Sequence, residues 1–479
     1  MALSKMFAKC MGTAHALSIK TLKDIPKPAG SLPLLGHYLQ VRRRPGNLSD
    51  FYLKHFQDLG PIFRLEFPGG KNVVCFADPD AMEAVYRAEG INPIRTFAGP
   101  ANFQWFYKKK NFPTPFVFLT GEEWRNARSK HKNQILPQNV HQYIPGFISA
   151  TERFIRNISE SSTDDDGYIE DIHSLIKIWS MEASAYFTFG ADIDTTKSSL
   201  PETQKFHEGF STLVSTIDDF ITALPLFKYF PSKMVKTLSK ATDDLYSIGR
   251  KYIDLHQESE SGYSLMDQLL KEGRMSKEEI IMSAIFLMAS ALDTISSNSS
   301  YLLYELSKRP DIQEKVYKQV TSALGSTNAI SGEVLQMMPY LGCVIKETQR
   351  ITPISPNHIR TVTKDVNLLG YNIPAQTLTM YSTLAVSRNE RFFKNPLDFD
   401  PDRWNRDKIH SFSILPFGLG PKSCWGRRFA EVEMKVLLAL LCQNYKMESI
   451  EAPSAQIKVK EKLFTRPLNP IRIRFIQRQ

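Results

Sequence analysis

The chain has 479 residues, 42% of them hydrophobic, and its 60 Lys and Arg against 50 Asp and Glu give a formal net charge of +10. That is enough apolar material for a large core, and no zinc-finger spacing or concentrated basic helix accompanies the basic excess, so nucleic acid is not indicated. What remains for the charge is a solvated basic face, an anionic membrane surface or an acidic protein partner.

In chain order, residues 1–25 come first, with Lys5, Lys9, Lys20 and Lys23 and no acidic residue before Asp24. A basic, acid-free start with scattered Met, Phe and Leu reads as a mitochondrial targeting leader, although arginine is absent from it; a flexible polar tail is the alternative. No run of about 18 apolar residues is present, so a membrane-spanning anchor is not expected. Residues 26–479 carry no linker and no repeat and read as one domain, with the polar stretches Ser159–Gly167 and Gln257–Gly262 as surface loops within it. Ile62–Phe67 and Asn72–Phe76 around Pro68-Gly69-Gly70 have the pattern of a β-hairpin. Between Phe97 and Phe118 aromatic residues crowd together (Phe103, Trp105, Phe106, Tyr107, Phe112), and Phe220–Phe230 is apolar enough to dip into a membrane surface.

Ser276 and Glu279 are spaced as a capping box, and the apolar run Ile280–Leu292 follows, continuing through Leu306 to Pro310. About 30 residues of helix span roughly 45 Å and must cross the middle of the protein. Its interior is broken by Ser290, Asp293 and Thr294, polar groups that need a reason. Arg360–Met380, punctuated by Gly370 and Pro374, is rich in strand signals. The expected class is therefore mainly α with small β-sheets (α+β).

The five cysteines, Cys10, Cys75, Cys343, Cys424 and Cys442, are odd in number and scattered, which argues against a disulfide framework and for a reducing compartment. Cys424 stands apart. It lies in Phe417-Gly-Leu-Gly420-Pro-Lys-Ser-Cys424-Trp-Gly426, at the entrance to the apolar stretch Phe429–Cys442. Glycines allow a backbone to approach a flat cofactor closely. A helix starting near Gly426 directs its amide dipoles at the sulfur, favouring thiolate, and a thiolate on haem iron favours O–O cleavage.

Phe417, Gly420, Cys424 and Gly426 resemble the haem-ligand signature of the cytochrome P-450 family, and other landmarks of that family recur in order over some 400 residues. The resemblance implies a cytochrome P-450 fold, with haem b (iron protoporphyrin IX) between the long helix and the loop carrying Cys424, the axial iron ligand. Glu347-Thr-Gln-Arg350 and Pro401-Asp-Arg403 are similar to the segments that form a buried structural Glu-Arg-Arg cluster. Trp124, Arg128 and Arg360 match haem-propionate partners. Lys422 stands where an arginine is usual, keeping the charge without the planar fork. Ser290-Ala291-Leu292-Asp293-Thr294 aligns with the acid-threonine motif, Thr294 hydrogen-bonding dioxygen or a nearby water and Asp293 relaying protons. The loop over the distal pocket would be Phe97–Phe118, with Pro356–Ile359 near the haem edge.

The activity implied is a monooxygenase placing one atom of O2 in a lipophilic substrate, a sterol, steroid or foreign compound. An electron-independent haem-thiolate isomerase or dehydratase and a non-catalytic haem sensor are the alternatives. The double arginine Arg427-Arg428 before Ala430-Glu431 resembles the mitochondrial class, which takes electrons from a ferredoxin of the adrenodoxin type. Lys346, Arg427 and Arg428 are then its docking residues, with Gly342 where a second lysine is expected. The same resemblance implies peripheral association with the matrix side of the inner mitochondrial membrane. The endoplasmic reticulum is the alternative location.

Overall fold

The computed structural model describes residues 20–95, 98–161, 167–190, 201–257, 263–325 and 329–478. Helices dominate, and among the described residues the strands gather into four small sheets. The largest begins with the hairpin: β1 (Ile62–Phe67) and β2 (Lys71–Phe76) pair antiparallel, Ile62 opposite Phe76. Its turn places Gly69 at φ 76°, a region that a side chain resists. β3 (Asn357–Thr361) and β4 (Leu378–Ser382) complete a sheet of order β1-β2-β4-β3, in which β2 and β4 run parallel. Thr379 on β4 donates its hydroxyl to the carbonyl of Arg360 at 3.0 Å, which fixes the strand that carries this arginine.

Six helices position the chemistry. α1 (Pro79–Glu89) is capped by Asp78, which accepts from the Ala81 amide, with proline at its first position. α2 (Gly121–Ser129) is short and polar; α3 (Ile172–Phe189) ends on Gly190 in the left-handed region. α4 (Lys277–Ser307) opens with the Ser276–Glu279 capping box, as its sequence indicates. α5 (Pro339–Ile351) and α6 (Arg427–Asn444) follow. By length and composition α4 could cross a membrane, yet every residue from Ile295 to Lys308 is buried, and α3, α5 and the helix Lys233–Gln257 pack against it. It is the core helix of this fold. The helix Ile144–Ser161 joins the bundle through a buried Arg153–Glu182 ion pair at 2.8 Å and the Trp179 indole donating to Thr151 at 3.1 Å.

Within the expected leader, Lys20–Thr21 pairs in parallel with Tyr371–Asn372 and Ile25 is buried, so the chain joins the body by Lys20. Residues 1–19, which hold the rest of the leader, lie outside the described residues, as do 162–166 and 258–262 of the two polar loops. The aromatic stretch is largely a helix (Ala98–Lys110), not a loop. Phe103 and Phe106 turn into the core, Phe103 stacking on Phe118 with ring centroids 4.0 Å apart and meeting Phe220 edge-on at 4.9 Å. Phe97 lies outside the described residues.

Burial pushes the pKa of His131 and His173 down to about 4 and that of His358 to about 3. The folded chain thus refuses protons that the unfolded chain accepts below about pH 6.5. Their contribution is complete above that value and is lost as the pH falls toward 4. Glu433 and Glu461, whose carboxyls burial raises, oppose part of this above about pH 4.5. Chemical denaturation between pH 6.5 and 4 is expected to show falling stability. His173→Gln, which keeps a partner for Ser300, should reduce the slope by about one proton. An unchanged slope would show that His173 is charged in the folded protein.

Candidate active site between the long helix and the cysteine loop

A cavity of about 470 Å³ lies between α4 and the loop 416–426. The loop doubles back on itself: Gly418 and Gly420 sit at φ 64° and 68°, and the Cys424 amide donates to the Phe417 carbonyl at 2.7 Å. Tyr86 packs beside the loop, its ring in ordinary contact, 3.5 Å from where a Cβ on Gly420 would lie. Cys424 is exposed to the cavity it lines, while the surrounding protein still desolvates its sulfur. Burial raises its thiol pKa, against the pull of a hydrogen bond from the Gly426 amide and the charges of Arg128 and Arg427. The helix-terminus argument alone anticipates a thiolate; here desolvation outweighs it, and a bound metal cation is what would remove the proton.

One edge of the cavity is cationic. Trp124 and Arg128 lie one turn apart on α2, the guanidinium 5.6 Å from the indole and donating to the Ser423 carbonyl at 2.9 Å. Arg360 on β3 donates to the Tyr86 hydroxyl at 2.9 Å and stands 3.3 Å from the Glu89 carboxylate. Lys422 also pairs with Glu89. Arg95, which no motif singled out, completes the set on the cavity wall. Burial lowers the pKa of Arg95 to about 10 and of Lys422 to about 8. A flat group with two carboxylates on one edge and a metal near Cys424 fits these donors; this is the chemistry of haem. His358 and Ile354 confirm that the segment around Pro356 reaches the cavity.

The opposite wall is α4, through Phe286, Leu287, Ser290, Ala291, Thr294 and Ile295. Thr294 donates its hydroxyl to the Ser290 carbonyl at 2.8 Å, and Ser290 donates to that of Phe286 at 2.9 Å. The structure separates the two residues of the acid-threonine pair. Neighbours on a helix do not share a face, and Asp293 is bound by both Nε (2.6 Å) and Nη2 (2.9 Å) of Arg466, away from the cavity lining. Arg466 belongs to β6 (Thr465–Pro467), paired antiparallel with β5 (Val459–Glu461), and Phe464 of the same hairpin lines the cavity. Glu433 on α6 also reaches the wall, buried and with one oxygen unpartnered, beside no motif.

Beneath the cysteine side, Glu347 accepts from Arg350 at 2.7 and 3.0 Å and from Arg403 at 3.0 Å, all three at most 1% exposed. Carbonyls of Ser387, Pro396 and Asp398 take the remaining Arg350 donors, and the Asp400 amide donates to Glu347 at 2.9 Å. The cluster clamps α5 to the segment 387–403. On the adjoining surface Lys346 lies 3.9 Å from the centre of the Trp404 ring, and Lys435 packs beside Gly342. Arg427 pairs with Glu431 at 2.8 Å, whereas Arg428 donates to the Ile135 carbonyl.

Residues 26–475 match the family model described as Cytochrome P-450. The mitochondrial cholesterol side-chain cleavage enzyme of Hypanus americanus is 27% identical, the match covering 96% of this chain and 91% of its own. The mitochondrial sterol 26-hydroxylase of Mus musculus is 29% identical over 89% of this chain and 85% of its own. The mitochondrial 1,25-dihydroxyvitamin D(3) 24-hydroxylase of the same species is 26% identical over 91% and 86%. The chain belongs to the cytochrome P-450 family. It is accordingly a monooxygenase that works with thiolate-ligated haem.

Proposed function

We propose that this chain hydroxylates a sterol- or steroid-like substrate in the mitochondrion with electrons from an acidic ferredoxin, using Cys424 as the axial ligand. The observation that carries the reading is one cavity joining the Cys424 sulfur, a cationic edge and an apolar wall that includes Thr294. Relatives named as mitochondrial enzymes acting on cholesterol, sterols and vitamin D support the substrate class and the compartment. Haem held by Cys424, with Trp124, Arg95, Arg128, Arg360 and Lys422 at its propionates, supplies the activation of dioxygen. The protein's own part is to exclude water through Phe286, Leu287 and Phe464, to orient the propionate edge, and to manage protons. The Thr294 hydroxyl can rotate from the Ser290 carbonyl toward a water on the cavity side. Asp293 must release Arg466 before its carboxylate can carry a proton inward.

Thr294→Ala is expected to bind substrate and accept electrons as before while yielding several-fold more peroxide per product. Peroxide and product measured in one reaction decide it. Unchanged coupling would assign Thr294 only to its helical hydrogen bond.

For the ferredoxin, Lys346, Lys435, Arg427 and Arg428 form a basic surface near the cysteine side; Lys435 lies beside Gly342, where the family's second lysine is missing. Lys346→Glu should raise the apparent KM for ferredoxin and leave substrate binding unchanged. The wild-type association rate should fall with ionic strength, since exposed charges are screened beyond about 8 Å at physiological salt. Parallel reconstitution with a ferredoxin and with a membrane flavoprotein reductase tests the partner. Turnover with the flavoprotein alone would overturn both ferredoxin and mitochondrion in favour of the endoplasmic reticulum. Leu224, Leu226, Tyr229 and Phe230 are exposed beside the buried Phe227, a suitable edge for the matrix-side membrane surface.

A further inference from the structure

We propose that Glu89, at the end of α1, is a positioning residue for the haem: its buried carboxylate holds Lys422 and Arg360 from behind so that both face the propionates. The inference rests on the haem reading of the cationic edge and adds a residue that no motif marks. Glu89 has no exposed surface, and a carboxylate that deep persists only where its charge is matched. Its partners are two cations of the cavity wall, Arg360 with Nε at 3.3 Å and the Lys422 ammonium. One turn earlier on the same helix, Tyr86 accepts from Arg360 at 2.9 Å and from the Leu419 amide at 3.3 Å. α1 thus grips the β3 arginine and the cysteine loop together.

Charge counting agrees. Arg95, Arg128, Arg360 and Lys422 bring four positive charges to this edge and Glu89 one negative, an excess of three. With ferrous iron, whose charge the porphyrin ring cancels, two propionates and one thiolate supply three negative charges, and with ferric iron the net falls to two. Without Glu89 the loaded site would carry an additional buried positive charge. The lysine needs the support most. An ammonium on a flexible stem has no planar fork to set its direction, so a fixed carboxylate behind it supplies the orientation that a guanidinium would provide by shape.

The test uses the full-length holoprotein with Glu89→Gln, Lys422→Gln and the double variant. Haem release to excess apomyoglobin is followed, together with the ferric/ferrous reduction potential and thermal unfolding. Glu89→Gln should release haem on the order of 10-fold faster, as for loss of other outer-shell partners. It should also raise the potential, because a negative charge behind the propionate edge is gone. The double variant should lose less than the two single effects combined. Unchanged release and potential with lowered thermal stability would overturn the proposal and leave Glu89 as a fastening of α1 to the loop. Should Glu89→Gln give no soluble chain, recovery of haem-loaded protein in the double variant supports the proposal and continued failure overturns it. An unsubstituted chain that takes up no haem would instead sink the underlying reading of the edge.

Discussion

Cys424→Ala is expected to fold, to lose the thiolate-type haem spectrum and to have no measurable monooxygenase turnover. The other described cysteines cannot substitute. Cys75 lies in the β1–β2 core, Cys442 is buried on α6, and Cys343 faces Asn405, none of them on the cavity wall. Because burial raises the thiol pKa of Cys424, haem binding must expel a proton, and affinity should weaken as the pH falls. The check is the carbon monoxide difference spectrum of the reduced variant. A red-shifted carbonyl band surviving in Cys424→Ala would remove this residue from the iron.

Glu347→Ala should give little soluble, haem-loaded protein. The substitution leaves Arg350 and Arg403 buried with their carbonyl partners but no counter-charge. Breaking such a cluster costs about 3–5 kcal/mol, against a total stability of roughly 5–15 kcal/mol for a folded protein. The damage should appear as poor expression and a lower unfolding midpoint. A variant expressed normally, loaded with haem and deficient only in turnover would make Glu347 catalytic and refute the structural assignment.

What could be read from the sequence follows the range of the forces involved. The start of α4 was visible because Ser276 and Glu279 exchange hydrogen bonds three residues apart. The β1–β2 hairpin was visible because Gly69 punctuates its turn. The cysteine loop was visible through its glycines and by family resemblance. Arg95, Glu89 and Arg466 escaped notice because their roles come from contacts across the fold; Arg466 meets Asp293 from 173 residues away. The aromatic stretch was only half legible for a related reason. Aromatic side chains suit a pocket roof or a core equally, and this stretch does both: Phe103 packs with Phe118 and Phe220 in the core, while Phe116 and Val117 at its end line the cavity.

The hairpin of β5 and β6 imposes a constraint on how this protein can change. Phe464 shapes the space a substrate enters, and Arg466, two residues on, grips Asp293 on the long helix. Grafting a hairpin from a relative to admit a different molecule therefore also re-aims or frees a buried acid beside Thr294. On the proposed roles, altered preference and altered handling of protons would arrive in the same substitution, so a pocket redesigned here has to retain the arginine or find the carboxylate another mate.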